Sequence, residues 1–185
     1  EIQPICNNMF MLRKGMVKSE EELREKYNEV ISHYPAEHFI MEEFVPGHIE
    51  TFDGITNAQG DILFYTGQVM RVTPLAMLQG AGENVSYTQN VQALDLADIG
   101  KRVVKAFDVR SRFFHFEFFR LNKGHEGMGK AGDVVALEVN MRPCGGFTPD
   151  MINFGHNTNV YKIWADMIAF DKSTMPAGKD TYCAF

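Results

Sequence analysis

Residues 136–146 read Ala-Leu-Glu-Val-Asn-Met-Arg-Pro-Cys-Gly-Gly, and this stretch decides the interpretation of the chain. Apolar residues alternate with an acid, an amide and a guanidinium before a proline and two glycines end the pattern. Because successive side chains of a strand point to opposite faces, Glu138, Asn140 and Arg142 would share one face. We therefore predict a strand over 134–141 with one face that binds charge.

The preceding apolar segment offers a pairing partner for this strand. Residues 112–121 read Arg-Phe-Phe-His-Phe-Glu-Phe-Phe-Arg-Leu, in which His115 and Glu117 share a face. Glycines and lysines over 123–132 are typical of a turn, so the two strands are predicted to form an antiparallel hairpin. In such a hairpin Glu117 can lie beside Glu138 and Asn140.

Two adjacent carboxylates need a compensating charge. They repel each other, and one takes up a proton unless a cation neutralises the pair. Five of the seven residues from 113 to 119 are phenylalanine, and a carboxylate in such surroundings is costly unless it is paired or metal-bound. Oxygen ligands suit Mg²⁺, which binds one or two carboxylates together with substrate phosphates. We expect Glu117, Glu138 and Asn140 to bind the metal and Arg142 to contact a phosphoryl group. A plain solvated sheet face is the alternative.

The remaining pattern indicates an α+β fold with an antiparallel sheet. Ser19 and Glu22 form a capping box before a helix. Hairpin-paired strands with interposed helices favour α+β over a doubly wound sheet. The other predicted elements are a helix over about 20–33, a strand over 38–45, a hairpin of strands 49–55 and 62–70, an irregular loop over 71–90, a helix over about 94–107, a segment 150–154 without assigned structure, and a helix over 160–170.

Composition limits the classes of partner. The chain has 185 residues, 45% of them hydrophobic, and a net charge of −6. The absence of a basic face disfavours nucleic acid, and the absence of a long apolar run disfavours a membrane. Three widely separated cysteines suggest neither a disulfide framework nor a zinc site, so the expected location is the cytoplasm.

The acid on one strand and the motif Glu-x-Asn-x-Arg on the next resemble the ATP-grasp superfamily, in particular its carboxylate–amine ligases and its carbamoyl-phosphate-synthase-like branch. The resemblance implies an ATP-grasp fold, with an antiparallel sheet and flanking helices. It also implies that Glu117, Glu138 and Asn140 bind Mg²⁺ (or Mn²⁺) and that Arg142 contacts the transferred phosphate of ATP.

An upstream segment resembles the adenine-binding hinge of the same family. Residues 39–47 read Phe-Ile-Met-Glu-Glu-Phe-Val-Pro-Gly, which by itself is equally compatible with an edge strand followed by a turn. The resemblance places Glu42 at the exocyclic amine of adenine, the Val45 amide at the ring and Phe44 beside the base. Its implied nucleotide-binding set, including an acid for the ribose hydroxyls, is Glu42, Glu43, Phe44, Val45 and Glu50.

One departure from the family pattern concerns the phosphate loop. No glycine cluster precedes the helix at 20–33, and neither Lys14 nor Lys18 can be placed on the phosphates. We therefore expect residues 1–45 to be the remnant of an ATP-grasp small lobe with a helix and the hinge, and 46–185 to be the C-terminal lobe with the metal site. The family's N-terminal domain and part of its glycine-rich lobe would be absent.

The predicted function is an ATP- and Mg²⁺-dependent ligase domain. It would activate a carboxylate as an acylphosphate for attack by an amine or a similar nucleophile, with small-molecule substrates and a possible homo-oligomer. The first alternative is a non-catalytic ATP-binding module or an inactive fragment of a larger ligase. The second is a metal-dependent hydrolase that uses Glu117 and Glu138, which leaves the segment 39–47 unexplained.

Overall fold

The structure is a computed structural model that describes residues 17–33, 35, 42–72, 80, 85–89, 95–176, 178 and 182–184. The chain divides into two compact units, Glu1–Val45 and Pro46–Phe185. The helices of the described part are α1 (Glu20–Ile31), α2 (Leu96–Ala106), α3 (Thr148–His156) and α4 (Val160–Phe170). Its strands are β1 (Gly47–Thr56), β2 (Ile62–Met70), β3 (Ser86–Thr88), β4 (Arg112–Leu121) and β5 (Val134–Asn140).

The first unit contains α1, which begins as its capping residues predict. The Ser19 hydroxyl accepts a hydrogen bond from the Glu22 amide at 3.1 Å. The Glu22 carboxylate reaches back to the amide of Lys18 at 2.7 Å, one residue before the cap. The first bond satisfies an amide that the first helical turn leaves free, and the second ties the residue before the cap to the same turn.

The second unit is built on a five-stranded antiparallel sheet in the order β3-β2-β1-β4-β5. The two predicted hairpins, β1–β2 and β4–β5, are both present. They meet along the pair β1–β4, which joins segments about sixty residues apart in sequence and forms the centre of the sheet. The α+β prediction is confirmed by this arrangement.

One face of the sheet carries the main hydrophobic core. Phe52 on β1 and the phenylalanines 114, 116 and 118 on β4 pack beneath α2, with Leu96 and Val104 of that helix among them. Gly100 of α2 allows the close approach, since a Cβ at this position would lie 2.3 Å from the Phe52 ring. This face is apolar over the length that α2 covers.

The opposite face has an apolar end at Ile49 and Phe119, then two polar rows, and a second apolar end at Ile55 and Phe113. There Ile55 of β1 packs against Ile152 of α3 and Ile163 of α4. Phe113 of β4 stacks on Trp164 with ring centroids 5.0 Å apart. Helices α3 and α4 therefore cover the end of the sheet next to Phe113, and the next two rows of residues on this face are polar.

Three predicted segments differ from the structure. The strand predicted over 38–45 is described only from Glu42, and residues 42–46 belong to no strand of the described part. The predicted loop 71–90 contains β3, which is held by pairing with β2. The stretch 150–154 belongs to α3, where a proline occupies the first turn.

Within the described ranges, none of the helices combines the length and the apolar character needed to cross a membrane.

Candidate functional site

The pairing of β4 with β5 brings the two predicted acidic ligands together. Glu117 is the direct partner of Glu138, and His115 is the direct partner of Asn140. Directly opposed residues of an antiparallel pair point to the same face, so the two carboxylates lie side by side. A β-bulge at Leu137 follows, because Phe118 pairs with Ala136.

These residues belong to a larger feature that we call the polar band. It consists of two neighbouring rows of polar side chains on the face that α3 and α4 cover at one end. The first row crosses all five strands and contains Glu138, Glu117, Thr51, Gln68 and Thr88. The second row crosses four strands and contains Asn140, His115, Asp53 and Thr66. Sheet faces that are buried normally carry apolar residues, so this band indicates a site.

A chain of hydrogen bonds orients Glu117 within the band. The ring nitrogens of His115 lie 2.6 Å from Asp53 Oδ1 and 3.0 Å from Glu117 Oε1. Thr51 donates to the second oxygen of Asp53. The His115 and Asp53 side chains are only 5% and 4% exposed. One oxygen of Glu117 is therefore fixed from within the protein.

The surroundings of His115 favour its protonated form. Burial lowers the pKa of His115, but the hydrogen bonds to Asp53 and Glu117 outweigh it and raise the pKa to about 10. An imidazolium here balances one of its two carboxylate partners, the buried Asp53 and the half-buried Glu117. Glu138, which is exposed, adds a further negative charge on the same face.

The donors on this face suit a Mg²⁺ ion that brings part of its own ligand shell. Among the described residues, no three Asp, Glu, His or Cys side chains are grouped to hold a metal ion alone. Mg²⁺, however, commonly takes only one or two carboxylates from the protein and completes its shell with water and phosphate. Glu117 and Glu138 supply two carboxylates on one face, and the unpaired buried amide nitrogen of Asn140 is a donor that suits a phosphate oxygen rather than the cation. The residues therefore fit an ion delivered together with a nucleotide.

Arg142 lies just outside the sheet. Strand β5 ends at Asn140, so the alternation that would aim Arg142 along the Glu138 face does not extend to it. Its exposed guanidinium donates through Nη1 to the carbonyl of Pro143 at 3.0 Å. The neighbouring Cys144 is buried, and burial raises the pKa of its thiol, so this cysteine is not a ready nucleophile.

The predicted hinge residues lie at the end of the first unit. Glu42, Glu43 and Phe44 are exposed, and Phe44 has 55% of its surface accessible. Val45 is half-buried. An irregular segment of this kind leaves its backbone amides and carbonyls outside any strand pairing.

Glu50 lies on the other face of the sheet from Glu117. It pairs with Phe118 on β4, whereas its neighbour Thr51 pairs with Glu117. Both oxygens of Glu50 accept hydrogen bonds from Arg120, at 3.1 and 2.7 Å, and His48 contacts Oε1 at 3.0 Å. The hydrogen bond to Glu50 is the largest cause of the raised pKa of the Arg120 guanidinium. Glu50 is thus a buried ion-pair partner.

Sequence reasoning missed the contribution of β1 and β2 to this site. Thr51 and Asp53 alternate on one face of β1, and Thr66 and Gln68 alternate on β2. Each pair is visible in the sequence as period-two polarity within an apolar strand. Their connection to Glu117 depends on the register between β1 and β4, which no local pattern specifies.

No family model matches this sequence, and a search of curated proteins gives no match either. Solved structures do match. The biotin carboxylase domain of 2-oxoglutarate carboxylase from Hydrogenobacter thermophilus, in complex with MgADP, ADP and bicarbonate, has a TM-score of 0.61 at 14% identity, over 90% of this chain and 36% of that chain. Phosphoribosylglycinamide synthetase from Anaerococcus prevotii has a TM-score of 0.59 at 15% identity, over 100% of this chain and 48% of that chain.

The ATPase subunit of phosphoribosylaminoimidazole carboxylase from Aquifex aeolicus gives a TM-score of 0.50 at 19% identity, over 77% of this chain and 38% of that chain. All three are ATP-grasp enzymes. The present chain spans between about a third and a half of their length. At these identities the similarity establishes the fold, and the ATP-grasp fold predicted from the sequence is confirmed.

Proposed function

We propose that this chain, which has the ATP-grasp fold, binds ATP with a divalent cation and belongs to an ATP-dependent ligase that activates a carboxylate. The observation that supports this most directly is the side-by-side placement of Glu117 and Glu138 on the polar band. Two neighbouring carboxylates favour a counter-charge, and a divalent cation that accompanies ATP supplies one.

The proposed metal ligands are oxygens of Glu117, Glu138 and Asn140, with Mg²⁺ or Mn²⁺ as the ion. When bound, the ion neutralises charge on the phosphates and stabilises the transferring phosphoryl group. His115 occupies Oε1 of Glu117, which leaves Oε2 for a ligand and fixes the rotamer of the side chain. Asp53 in turn holds the imidazole from its other nitrogen.

In the proposed reaction a carboxylate oxygen of the substrate attacks the γ-phosphorus of ATP. The bond from that phosphorus to the bridging oxygen breaks and ADP leaves, which gives an acylphosphate. An amine then attacks the acyl carbon, phosphate leaves, and the amine proton passes to solvent. Arg142 would contribute donors to the transferred phosphoryl group, because only one of its N–H groups has a protein acceptor among the described contacts.

The adenine is proposed to bind the segment Glu42, Glu43, Phe44 and Val45. Its backbone groups lie outside sheet pairing, and adenine presents a donor and an acceptor on one edge. Phe44 is exposed and offers an apolar surface to the base. Glu50 is not included in the proposed nucleotide site, because Arg120 already holds both of its oxygens on the other face of the sheet.

Isothermal titration of MgATP tests the metal assignment. Wild type is compared with Glu117→Gln and Glu138→Gln, which remove charge but keep shape. The matched control is Glu126→Gln, an exposed acid in the turn of the same hairpin. We expect each ligand variant to bind MgATP at least about tenfold more weakly, and the control to bind as wild type does. Equal affinities in all four proteins would refute the assignment.

Release of phosphate separates a ligase from an ATP-binding module without catalysis. The ligase predicts slow phosphate release that rises when carboxylate and amine substrates are both present. A protein that binds MgATP but releases no phosphate with any acceptor would be a binding module.

A further inference from the structure

The loop that carries Arg142 is exposed except at one point. Residues 142–147 lie between β5 and α3, and we call them the arginine loop. The structure describes all six residues; Cys144 is 9% exposed, whereas the other five are exposed. Because a connecting segment normally runs over the surface, a buried side chain in its middle indicates a contact that holds it in place.

The side chain of Cys144 enters the apolar cluster beneath α3 and α4. It belongs to the same cluster as Ile55 of β1 and Ile152 of α3. Together with Pro143 it also lines a small cavity that Asp53 borders. Burial, and then the charge of the Asp53 carboxylate, raise the pKa of the thiol. Cys144 therefore stays neutral and packs as a small apolar side chain.

Two kinds of contact fix the arginine loop to its surroundings. The Gly145 carbonyl accepts a hydrogen bond from the Thr148 amide at 3.3 Å, which ties the end of the loop to α3. The packing of Cys144 in the cluster of Ile55 ties the middle of the loop to β1. Strand β1 also carries Asp53 of the polar band, so this second contact relates the loop to the band.

Arg142 depends on such a contact because the sheet does not hold it. Strand β5 ends two residues earlier, and the guanidinium is exposed at the end of a long side chain. Its contact with a transferring phosphoryl group would depend on where its backbone is held. An error of about 1 Å in the position of a reacting or stabilising group can cost about 100-fold in rate. The backbone of Arg142 thus needs a fixed point close by, and Cys144 lies two residues away.

We propose that Cys144 is a positioning residue that acts by packing and not through its sulfur chemistry. It holds the arginine loop on β1, so that Arg142 meets the transferred phosphoryl group. The inference rests on the proposed ligase function and adds a residue that does not itself contact substrate or nucleotide.

A double-mutant cycle on phosphate release from MgATP tests the coupling between the two residues. Cys144→Ala removes the packed atom, and Arg142→Gln removes the guanidinium. We expect Cys144→Ala to lower kcat at least about tenfold and to change the KM for MgATP by less than about twofold. In the Arg142→Gln background the same change should have no further effect, because Cys144 acts through Arg142. Losses that add in the double variant would overturn the proposal.

Two further variants separate packing from thiol chemistry. Cys144→Val keeps an apolar side chain that can extend into the adjoining cavity, so it should retain at least about half of the wild-type kcat. Cys183→Ala makes the matched change at a second free cysteine, which is half-buried, and should behave as wild type. If Cys144→Val were as impaired as Cys144→Ala, the effect would belong to the sulfur and the packing role would be overturned.

Hydrogen exchange measures the anchor without any activity. The amides of Thr148 and Asp150 donate to the loop carbonyls of Gly145 and Phe147. They should exchange at least about tenfold faster in Cys144→Ala, whereas amides paired between β4 and β5 should exchange as in wild type. Unchanged exchange at the loop would overturn the proposal. Faster exchange across the whole sheet would also overturn it, because Cys144 would then support the core in general.

The outcomes also distinguish this inference from the proposed function. If wild type releases no phosphate from MgATP while Cys144→Ala loosens the arginine loop, the anchor stands and the proposed function fails. If wild type releases phosphate and Cys144→Ala alters neither kcat nor the exchange of the loop, the anchor is refuted and the proposed function stands.

Discussion

Replacing His115 with leucine tests the buried charge chain in the polar band. The change removes the imidazolium and leaves the Asp53 carboxylate, 4% exposed, without its cation. Removing one partner of a buried ion pair typically costs about 3–5 kcal/mol. The rise of the His115 pKa from 6.5 to about 10 sets a similar upper limit of about 5 kcal/mol, at about 1.4 kcal/mol per unit of pKa. We therefore expect His115→Leu to lower the free energy of unfolding by about 3–5 kcal/mol at pH 7.

Urea unfolding measures this loss, and the double variant Asp53→Asn/His115→Leu is its control. Neutralising Asp53 removes the unpaired charge, so the double variant should recover at least half of the loss. The pH dependence gives a second readout. A histidine with a raised pKa stabilises fully below pH 6.5, and the stabilisation is lost as the pH rises through about 10. Wild type should lose stability over this window and His115→Leu should not. A His115→Leu protein within about 0.5 kcal/mol of wild type would refute the reasoning.

Gly100→Ala should lower the free energy of unfolding in urea by about 1–3 kcal/mol, although alanine favours a helix more than glycine does. The reason is that the new methyl group would lie 2.3 Å from the Phe52 ring. A gain in stability would show that the helix can move away from Phe52. Asp166 accepts hydrogen bonds from Lys162 at 2.8 and 3.0 Å and from Thr174. These bonds lower the pKa of Asp166 to about 2, and the Lys162 bond is the largest cause of that shift. A carboxylate with a lowered pKa stabilises above pH 3.8 and loses that contribution as the pH falls towards 2, so thermal midpoints of Asp166→Asn should change less than those of wild type over this range. Parallel curves for the two proteins would contradict the role of Asp166.

The hairpin part of the site could be predicted because it is local. Glu117 and Glu138 are joined by one turn, and period-two alternation in each strand assigns their faces. The same alternation does not place Arg142 on the face of Glu138, because the strand ends at Asn140 and a proline follows Arg142.

The other half of the polar band depends on contacts between distant segments. Asp53 meets His115 across the β1–β4 pair, and its importance becomes visible only when that register is known. The same limit applies to Gln68, whose position opposite Thr51 follows from the β1–β2 register. Strand β3 has three residues, too few for a periodic pattern to emerge, and is held by its pairing with β2.

Helix α3 was missed for a different reason. Its sequence contains Pro149 and Gly155, which are poor helix formers away from the ends. Pro149 falls in the first turn, where it is tolerated. Gly155 packs against Thr88, and a Cβ at Gly155 would lie 2.7 Å from the threonine hydroxyl oxygen. Tertiary packing thus selects a residue that the local propensity disfavours.

The measurement that tests the central claim most directly is a crystal structure of the chain with Mn²⁺ and ADP, with the metal located by its anomalous scattering. The account predicts a peak about 2.1 Å from carboxylate oxygens of both Glu117 and Glu138, on the face that carries the polar band. A metal bound elsewhere on the protein, with these two carboxylates free of it, would contradict the account.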